Sequence, residues 1–208
     1  MSCLFIVMYF NFKIFLIYFF AVFFLNSTDL TTSNLNFEYS VESKDNSNLN
    51  YLPIPYTVRD FVGFKNFLGF FESGSDYDKI NRFGYIGKYQ FGKGTLKMYG
   101  VTNLMNYKNN PELQEKIFLM NVMRNKWILR REISWYSNRY LGGVYVSESG
   151  IIAAAHLSGP GNVKKYLRSH CDANFNKKDA NGTSISDYMR IFKDYDIKGV
   201  PFERKPKL

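Results

Sequence analysis

One glutamate, Glu72, stands in the sequence where a carboxyl group could act as an acid. It falls in the last turn of a predicted helix from about Val58 to Ser73, with Thr57 as the expected N-cap and Gly74 as the expected stop. The helix is predicted because apolar residues recur at spacings of three and four, at Phe61, Phe64, Leu68 and Phe71. A carboxylate there faces the negative end of the helix dipole and is desolvated by apolar neighbours, which favours its protonated form. Such a group can serve as a general acid, whereas the alternative is an ordinary surface residue at a helix end.

The segment after Glu72 carries glycine and amide groups that suit the wall of a sugar-binding cleft. Gly84 and Gly87 permit positive φ and a close approach of the backbone, and Gln90 follows them. A thin wall of this kind lets backbone amides and the Gln90 side chain bond to sugar hydroxyl and N-acetyl groups. Beside a helix-terminal acid, it favours a cleft that admits a polysaccharide strand.

The same segment resembles the signature of lytic transglycosylases and goose-type lysozymes. Their pattern is Glu-Ser, a polar residue nine positions after the Glu, Gly-x-x-Gly-x-x-Gln, and a Thr five positions later. Here the matching residues are Glu72, Ser73, Asn81, Gly84, Gly87, Gln90 and Thr95, in register and without a gap.

Two later blocks extend the resemblance, so that it covers about residues 57–195 in the order of the family. The stretch from Ala153 to Val163 is similar to an Ala-Ala-Tyr-Asn-Ala-Gly-Pro-Gly-x-Val segment, and the stretch from Ser186 to Ile191 is similar to a late helix whose Tyr lies in the cleft. Two departures indicate a divergent branch: His156-Leu157 replaces Tyr-Asn, and Phe91-Gly-Lys-Gly94 stands where relatives often have an apolar residue and a Pro.

The resemblance implies a mainly α (α+β lysozyme-like) fold, a single compact helical domain with a glycan-binding cleft. It implies cleavage of the β-1,4 MurNAc–GlcNAc linkage of peptidoglycan by one carboxyl group. Glu72 would protonate the linkage oxygen and then, as carboxylate, take the proton of the MurNAc C6 hydroxyl, which attacks C1 and leaves a 1,6-anhydro end. No cofactor and no metal are implied. The expected substrate-binding residues are Ser73, Tyr85, Tyr89, Gln90, His156 and Tyr188.

Several alternatives stay open at this point. Asp76 or Asp78 could act as a second carboxylate that positions a water, which would make the protein a lysozyme-type hydrolase, or both could simply cap a loop. Tyr85 and Tyr89 could stack on sugars or be structural, and His156 could replace the missing amide as a donor or be a packed core histidine. The loss of the Tyr-Asn pair also allows a catalytically weak peptidoglycan-binding or scaffold protein of an envelope machine.

The first residues predict export from the cytoplasm. Residues 4–25 are apolar apart from Asn11 and Lys13, so residues 1–27 are interpreted as a signal peptide or a membrane anchor. The apolar core from Ile14 to Leu25 is about 18 Å long as a helix, short of a bilayer of about 30 Å, which favours the signal peptide. Residues 28–55 read as a polar linker, 56–200 as the lysozyme-like transglycosylase domain and 201–208 as a basic tail. The expected location is the periplasm or outside the cell, with inner-membrane attachment through residues 4–25 as an alternative.

The charge of the chain invites an anionic partner. Lys and Arg number 27 against 18 Asp and Glu, a net charge of +9, over 208 residues. An exported basic domain meets anionic envelope polymers before nucleic acid, so peptidoglycan strands are the expected partner and nucleic acid is not.

Two cysteines exclude a disulfide scaffold and a four-cysteine zinc site. The aspartate-rich stretches at Asp172 and Asp179 lack the glycine and glutamate of a calcium loop and are predicted to be turns.

Overall fold

The computed structural model describes residues 58–208, and this part of the chain is mainly helical, as the sequence predicts. The predicted leader and the polar linker lie outside the described residues, as does Thr57. The eight α-helices of the described part are α1 Phe61–Ser73, α2 Lys93–Met98, α3 Leu104–Lys108, α4 Pro111–Ile128, α5 Arg130–Tyr136, α6 Glu148–Ser158, α7 Pro160–Arg168 and α8 Ile185–Ile191.

Helix α1 carries Glu72 and begins at Phe61, later than the predicted Val58. Its N-cap is Asp60, whose side chain accepts a hydrogen bond of 2.9 Å from the Gly63 amide. Asp60 therefore does the capping work that the sequence suggested for Thr57. The helix ends as predicted at Gly74, which adopts a left-handed conformation with φ of 76°.

Helix α6 lies in the middle of the core. Its residues Ile151 to Ala155 are all buried, and it packs against α7 and α8. Gly150 permits the close approach of α8, because a Cβ at this position would lie 2.8 Å from the carbonyl oxygen of Met189. This packing fixes where α8, and with it Tyr188, stands relative to α1.

A short hairpin and a turn-rich segment connect the later helices. Strands β1 Arg139–Leu141 and β2 Val144–Val146 pair antiparallel, with Tyr140 opposite Tyr145. Between α7 and α8 the chain forms a 3-10 turn at Ala173–Phe175 and an isolated bridge between Lys178 and Ser184. The prediction of turns around Asp172 and Asp179 fits this segment.

The predicted basic tail lies against α4. The Glu203 amide donates a hydrogen bond of 3.2 Å to the carbonyl oxygen of Met123. The fully buried Lys126 ammonium donates to the carbonyl oxygens of Ile197 and Val200, both just before the tail. No helix within residues 58–208 is long and apolar enough to cross a bilayer.

Candidate active site

The Glu72 carboxyl group and the Tyr188 phenol meet at the end of α1. Tyr188 Oη donates a hydrogen bond of 2.6 Å to Glu72 Oε1, although the two residues are 116 positions apart. Burial, and then the neighbouring Glu72 carboxylate, raise the pKa of Tyr188 far above its ordinary value of 10.0. The phenol therefore keeps its proton and remains a donor, while the Glu72 side chain is 17% exposed and reachable from the cleft.

Aromatic rings hold Tyr188 in this position. Its ring packs edge-on against Phe71 of α1, with 5.3 Å between centroids, and at a tilt of 34° against Phe192, with 5.5 Å between centroids. Because Phe71 directly precedes Glu72, the same contact fixes the end of α1 and the phenol together.

His156 lies on the other side of Glu72 and joins α6 to the glycine-containing loop. Its Nε2 is 2.9 Å from the carbonyl oxygen of Tyr89, and a carbonyl can only accept, so this nitrogen carries a hydrogen. The same atom is 3.9 Å from Glu72 Oε1, too far for a hydrogen bond. Nδ1 is buried without a hydrogen-bond partner, beside the Phe91 ring at 5.1 Å between centroids. The imidazole is thus a packed wall of the site, with 7% of its side chain exposed.

The loop from Asn81 to Gln90 forms a tight wall of the site. Asn81 Oδ1 accepts hydrogen bonds from the amides of Phe83 and Tyr85. Gly87 has φ of 81°, and a Cβ there would lie 2.1 Å from Gln114 Oε1, so no side chain fits. Gln90 also has a positive φ of 47°, and its side-chain nitrogen Nε2 donates a hydrogen bond of 2.8 Å to the Gly87 carbonyl oxygen. The loop therefore has little freedom to rearrange.

A charged cluster around Glu115 of α4 supports this loop from behind. The Glu115 carboxylate accepts hydrogen bonds of 2.7 Å from Lys65 and Lys88, and of 2.8 Å from the phenols of Tyr77 and Tyr89. Burial alone raises the pKa of Glu115, but these four donors outweigh it and lower the pKa to about 2. Burial raises the pKa of Tyr77 to about 12, with Glu115 adding to it, so this phenol stays a donor.

Ser73 contributes to this support and not to the cleft surface. It is buried, and its hydroxyl donates to the Lys88 carbonyl at 2.9 Å and accepts from the Asp76 amide at 3.0 Å. The hydroxyl therefore joins the end of α1 to the loop.

The cleft has a volume of about 590 Å³ and brings four of the predicted site residues together, Glu72, Tyr85, Gln90 and His156. Tyr85 is 45% exposed, so its ring face is available to a ligand. The rest of the lining comes from Lys79, Asn81, Arg82, Phe83, Leu157, Asp179, Ala180 and Asn181.

Tyr89 does not line the cleft, so the sugar-stacking interpretation is wrong for this residue. Its side chain is fully buried, its ring stacks on Phe118 at 3.9 Å, and its hydroxyl is bound to Glu115. A ring that no solvent reaches cannot stack on a sugar.

Neither Asp76 nor Asp78 is among the residues that line the cleft. Asp76 accepts a hydrogen bond from the Asp78 amide, and Asp78 pairs with Lys108 at 2.8 Å. The loop-capping interpretation fits both.

The carboxylate that sequence reasoning missed is Asp179. It lines the cleft, and its Oδ1 accepts hydrogen bonds from the amides of Asn181 and Thr183. Its charge adds to the upward shift of the Tyr188 pKa, after burial and Glu72. Its place in the turn that leads into α8 was the signal, because that helix carries the expected tyrosine.

Within residues 58–208, no group of three His, Cys, Asp or Glu side chains could hold a metal ion. Comparison of the chain with protein-family models, curated proteins and solved structures finds no match.

Proposed function

We propose that this protein cleaves the β-1,4 MurNAc–GlcNAc linkage of peptidoglycan by non-hydrolytic transglycosylation, with Glu72 as acid and then base. The observation that carries the proposal is the hydrogen bond from Tyr188 to Glu72 at the edge of a cleft. It adds a geometric relationship to the resemblance of three sequence blocks, because residues of the first and third blocks touch.

The hydrogen bond assigns different tasks to the two oxygens of Glu72. Oε1 is occupied by the phenol, so the acidic proton is carried on Oε2. Oε2 first gives this proton to the linkage oxygen, and the bond from C1 to that oxygen breaks. Oε2 then accepts the proton of the MurNAc C6 hydroxyl while the C6 hydroxyl oxygen attacks C1. Tyr188 touches the reacting carboxyl group throughout and keeps its own proton, as its raised pKa requires.

The walls of the cleft suit a glycan strand. Tyr85 offers an exposed ring face for stacking on a sugar. Asn81, Gln90 and Asn181 bring amide groups to the lining, and Lys79 and Arg82 bring cations that suit the carboxylates of a peptide-bearing glycan. Such groups hold the glycan strand so that its scissile linkage stays next to Glu72, and this positioning speeds the reaction between the two.

Hydrolysis is the second candidate, and Asp179 is the observation that favours it. A carboxylate in the same cleft as Glu72 could orient a water toward C1, as in glycosidases that use two carboxyl groups.

The setting that we propose for either reaction is the periplasm or the outside of the cell. The apolar residues 4–25 would serve there as signal or anchor, and an envelope protein machine is the further partner that this setting offers.

The experiment is a digestion of purified peptidoglycan by the full chain, with products identified by mass spectrometry. We expect 1,6-anhydro products from the parent and none from Glu72→Gln. Glu112→Gln is the matched control, because Glu112 is exposed and lies outside the cleft. Reducing-end products from the parent would replace transglycosylation by hydrolysis. Products that persist in Glu72→Gln would refute the role of Glu72, and binding without any product would favour the scaffold alternative.

A further inference from the structure

A second pocket lies between the C-terminal end of α4 and the basic tail. It has a volume of about 550 Å³. Its lining is divided between apolar and cationic side chains, which are Met98, Trp127, Ile128 and Pro206 on one hand and Arg124, Arg204, Lys205 and Lys207 on the other.

None of the four cations of this pocket has a carboxylate partner within residues 58–208, whereas the buried Lys126 beside them pairs with Glu148 at 2.8 Å. Glu203 is the nearest acidic residue in the sequence, and its Oε1 accepts from the Lys205 backbone amide at 3.3 Å. The Lys205 ammonium group is therefore left for another anion.

Arg204 and the backbone of the tail are held in place by contacts with α4. The Arg204 guanidinium lies over the Trp127 ring, with 5.1 Å from Cζ to the ring centroid, and that of Arg130 lies at 4.3 Å from the same ring. The Glu203 amide is bonded to the Met123 carbonyl, and the Phe202 ring lies 4.6 Å from the Lys126 ammonium group. Positive charge is thus concentrated around one half-buried aromatic side chain.

The apolar part of the pocket indicates which anion fits. Met98 is 49% exposed, and Phe202 and Leu208, next to the lining residues in sequence, are 45% and 52% exposed. Cations beside exposed apolar side chains match a ligand that presents phosphate next to hydrocarbon, which is the chemistry of an anionic phospholipid surface. A soluble phosphate compound would match the cations but not the apolar rim.

We infer that this pocket, lined by Arg124, Trp127 and Arg204–Lys207, docks the domain on a bilayer that contains anionic phospholipid. The phosphate groups bind Arg124, Arg204, Lys205 and Lys207, and Met98 and Leu208 contact the acyl region. The contact does not depend on the proposed cleavage reaction, because none of these residues lines the cleft of Glu72.

The test uses Trp127 as the reporter in the full chain. The chain has two tryptophans, so Trp135→Phe leaves Trp127 as the single tryptophan, whose emission is excited selectively at wavelengths that tyrosine does not absorb. Vesicles with brominated acyl chains quench a tryptophan that they contact. Two kinds are compared, phosphatidylcholine alone and phosphatidylcholine mixed with phosphatidylglycerol. Residues 4–25 are apolar and are expected to bind both kinds alike, so the difference between the two reports the charged pocket.

We expect Trp127 to be quenched by the mixed vesicles, less at high salt, and little by phosphatidylcholine alone. The triple variant Arg204→Gln, Lys205→Gln, Lys207→Gln should weaken the charge-dependent binding to mixed vesicles by roughly a hundredfold, since each of the three cations contributes about a fivefold factor near an anionic bilayer. The matched control is Lys177→Gln, Lys193→Gln, Lys198→Gln, which removes the same charge from exposed lysines outside the pocket.

Three results would overturn the inference. The control could lose as much binding as the pocket variant, which would show an effect of net charge alone. Both kinds of vesicle could quench Trp127 equally. Inorganic phosphate or single-stranded DNA could change the Trp127 emission while vesicles do not, which would assign the pocket to a soluble anion or to nucleic acid. Circular dichroism of both triple variants checks that each remains folded.

Discussion

Tyr188 donates a hydrogen bond of 2.6 Å to Glu72, and this contact joins the last helix of residues 58–208 to the first. A phenol on one carboxyl oxygen leaves a single oxygen for proton transfer. The proposed acid–base role of Glu72 therefore depends on Tyr188 as much as on the glutamate.

Replacing Tyr188 by Phe should lower the rate of peptidoglycan cleavage by about tenfold to a hundredfold, because a hydrogen bond to a charged group contributes about 1.5–3 kcal/mol. The ring contacts with Phe71 and Phe192 are kept, so the melting temperature should change little. Cleavage rates and melting temperatures of the parent and of Tyr188→Phe check both expectations. A full rate in a folded Tyr188→Phe protein would contradict the task given to the phenol.

Asp179→Asn separates the two proposed reactions. Asparagine keeps an oxygen that accepts from the amides of Asn181 and Thr183, so the turn should survive. If cleavage is non-hydrolytic, the anhydro products should persist and the rate should fall by less than about tenfold. Asp78→Asn is the control outside the cleft. Loss of all products in the Asp179 variant alone would instead support hydrolysis with two carboxyl groups.

Gly87→Ala should lower the free energy of unfolding by about 1–3 kcal/mol, because alanine disfavours positive φ. The added methyl group would also displace Gln114 Oε1, which accepts a hydrogen bond from the Lys88 amide. Gly94→Ala is the control in α2, where an added Cβ meets nothing within 4 Å. It should be neutral or slightly stabilising. Urea unfolding of both variants measures the difference, and equal stabilities would refute the steric explanation.

Glu115→Gln should change how stability depends on pH. The pKa of Glu115 in the folded protein is about 2, below its ordinary 4.5, so the carboxylate contributes stability above pH 4.5 that is lost as the pH falls toward 2. The parent should therefore exceed the variant by about 1–3 kcal/mol at neutral pH, and the gap should narrow in acid. Urea titrations across this range measure it, with Glu112→Gln on the same helix as control. A gap that is constant with pH would show that the charge of Glu115 is not responsible.

The helices and the glycine-containing loop could be predicted because their signals are local. Periodic apolar residues predicted α1, and the spacing of Gly84, Gly87 and Gln90 predicted a thin wall. The burial of Tyr89 could not be predicted in this way. It depends on Glu115 and Phe118, which are remote in the sequence and reach the loop only when α4 packs behind it.

The place of Asp179 could not be predicted for the same reason. Asp76 and Asp78 are close to Glu72 along the chain but are not among the residues that line the cleft, and Asp78 pairs with Lys108. Asp179 is far away in sequence and is brought to the cleft by the segment between α7 and α8. Proximity in the sequence therefore did not indicate which aspartate lines the cleft.

Helix α4 touches both surfaces proposed to bind ligands. Glu115 in its first half supports the wall of the cleft, and Trp127 near its end lies in the basic pocket. The two residues are twelve positions apart, about 18 Å at the ordinary rise of an α-helix. If both proposals hold, docking through the basic pocket would keep the cleft at a fixed distance from the bilayer. Only glycan strands that lie at that distance from the surface could then enter the cleft.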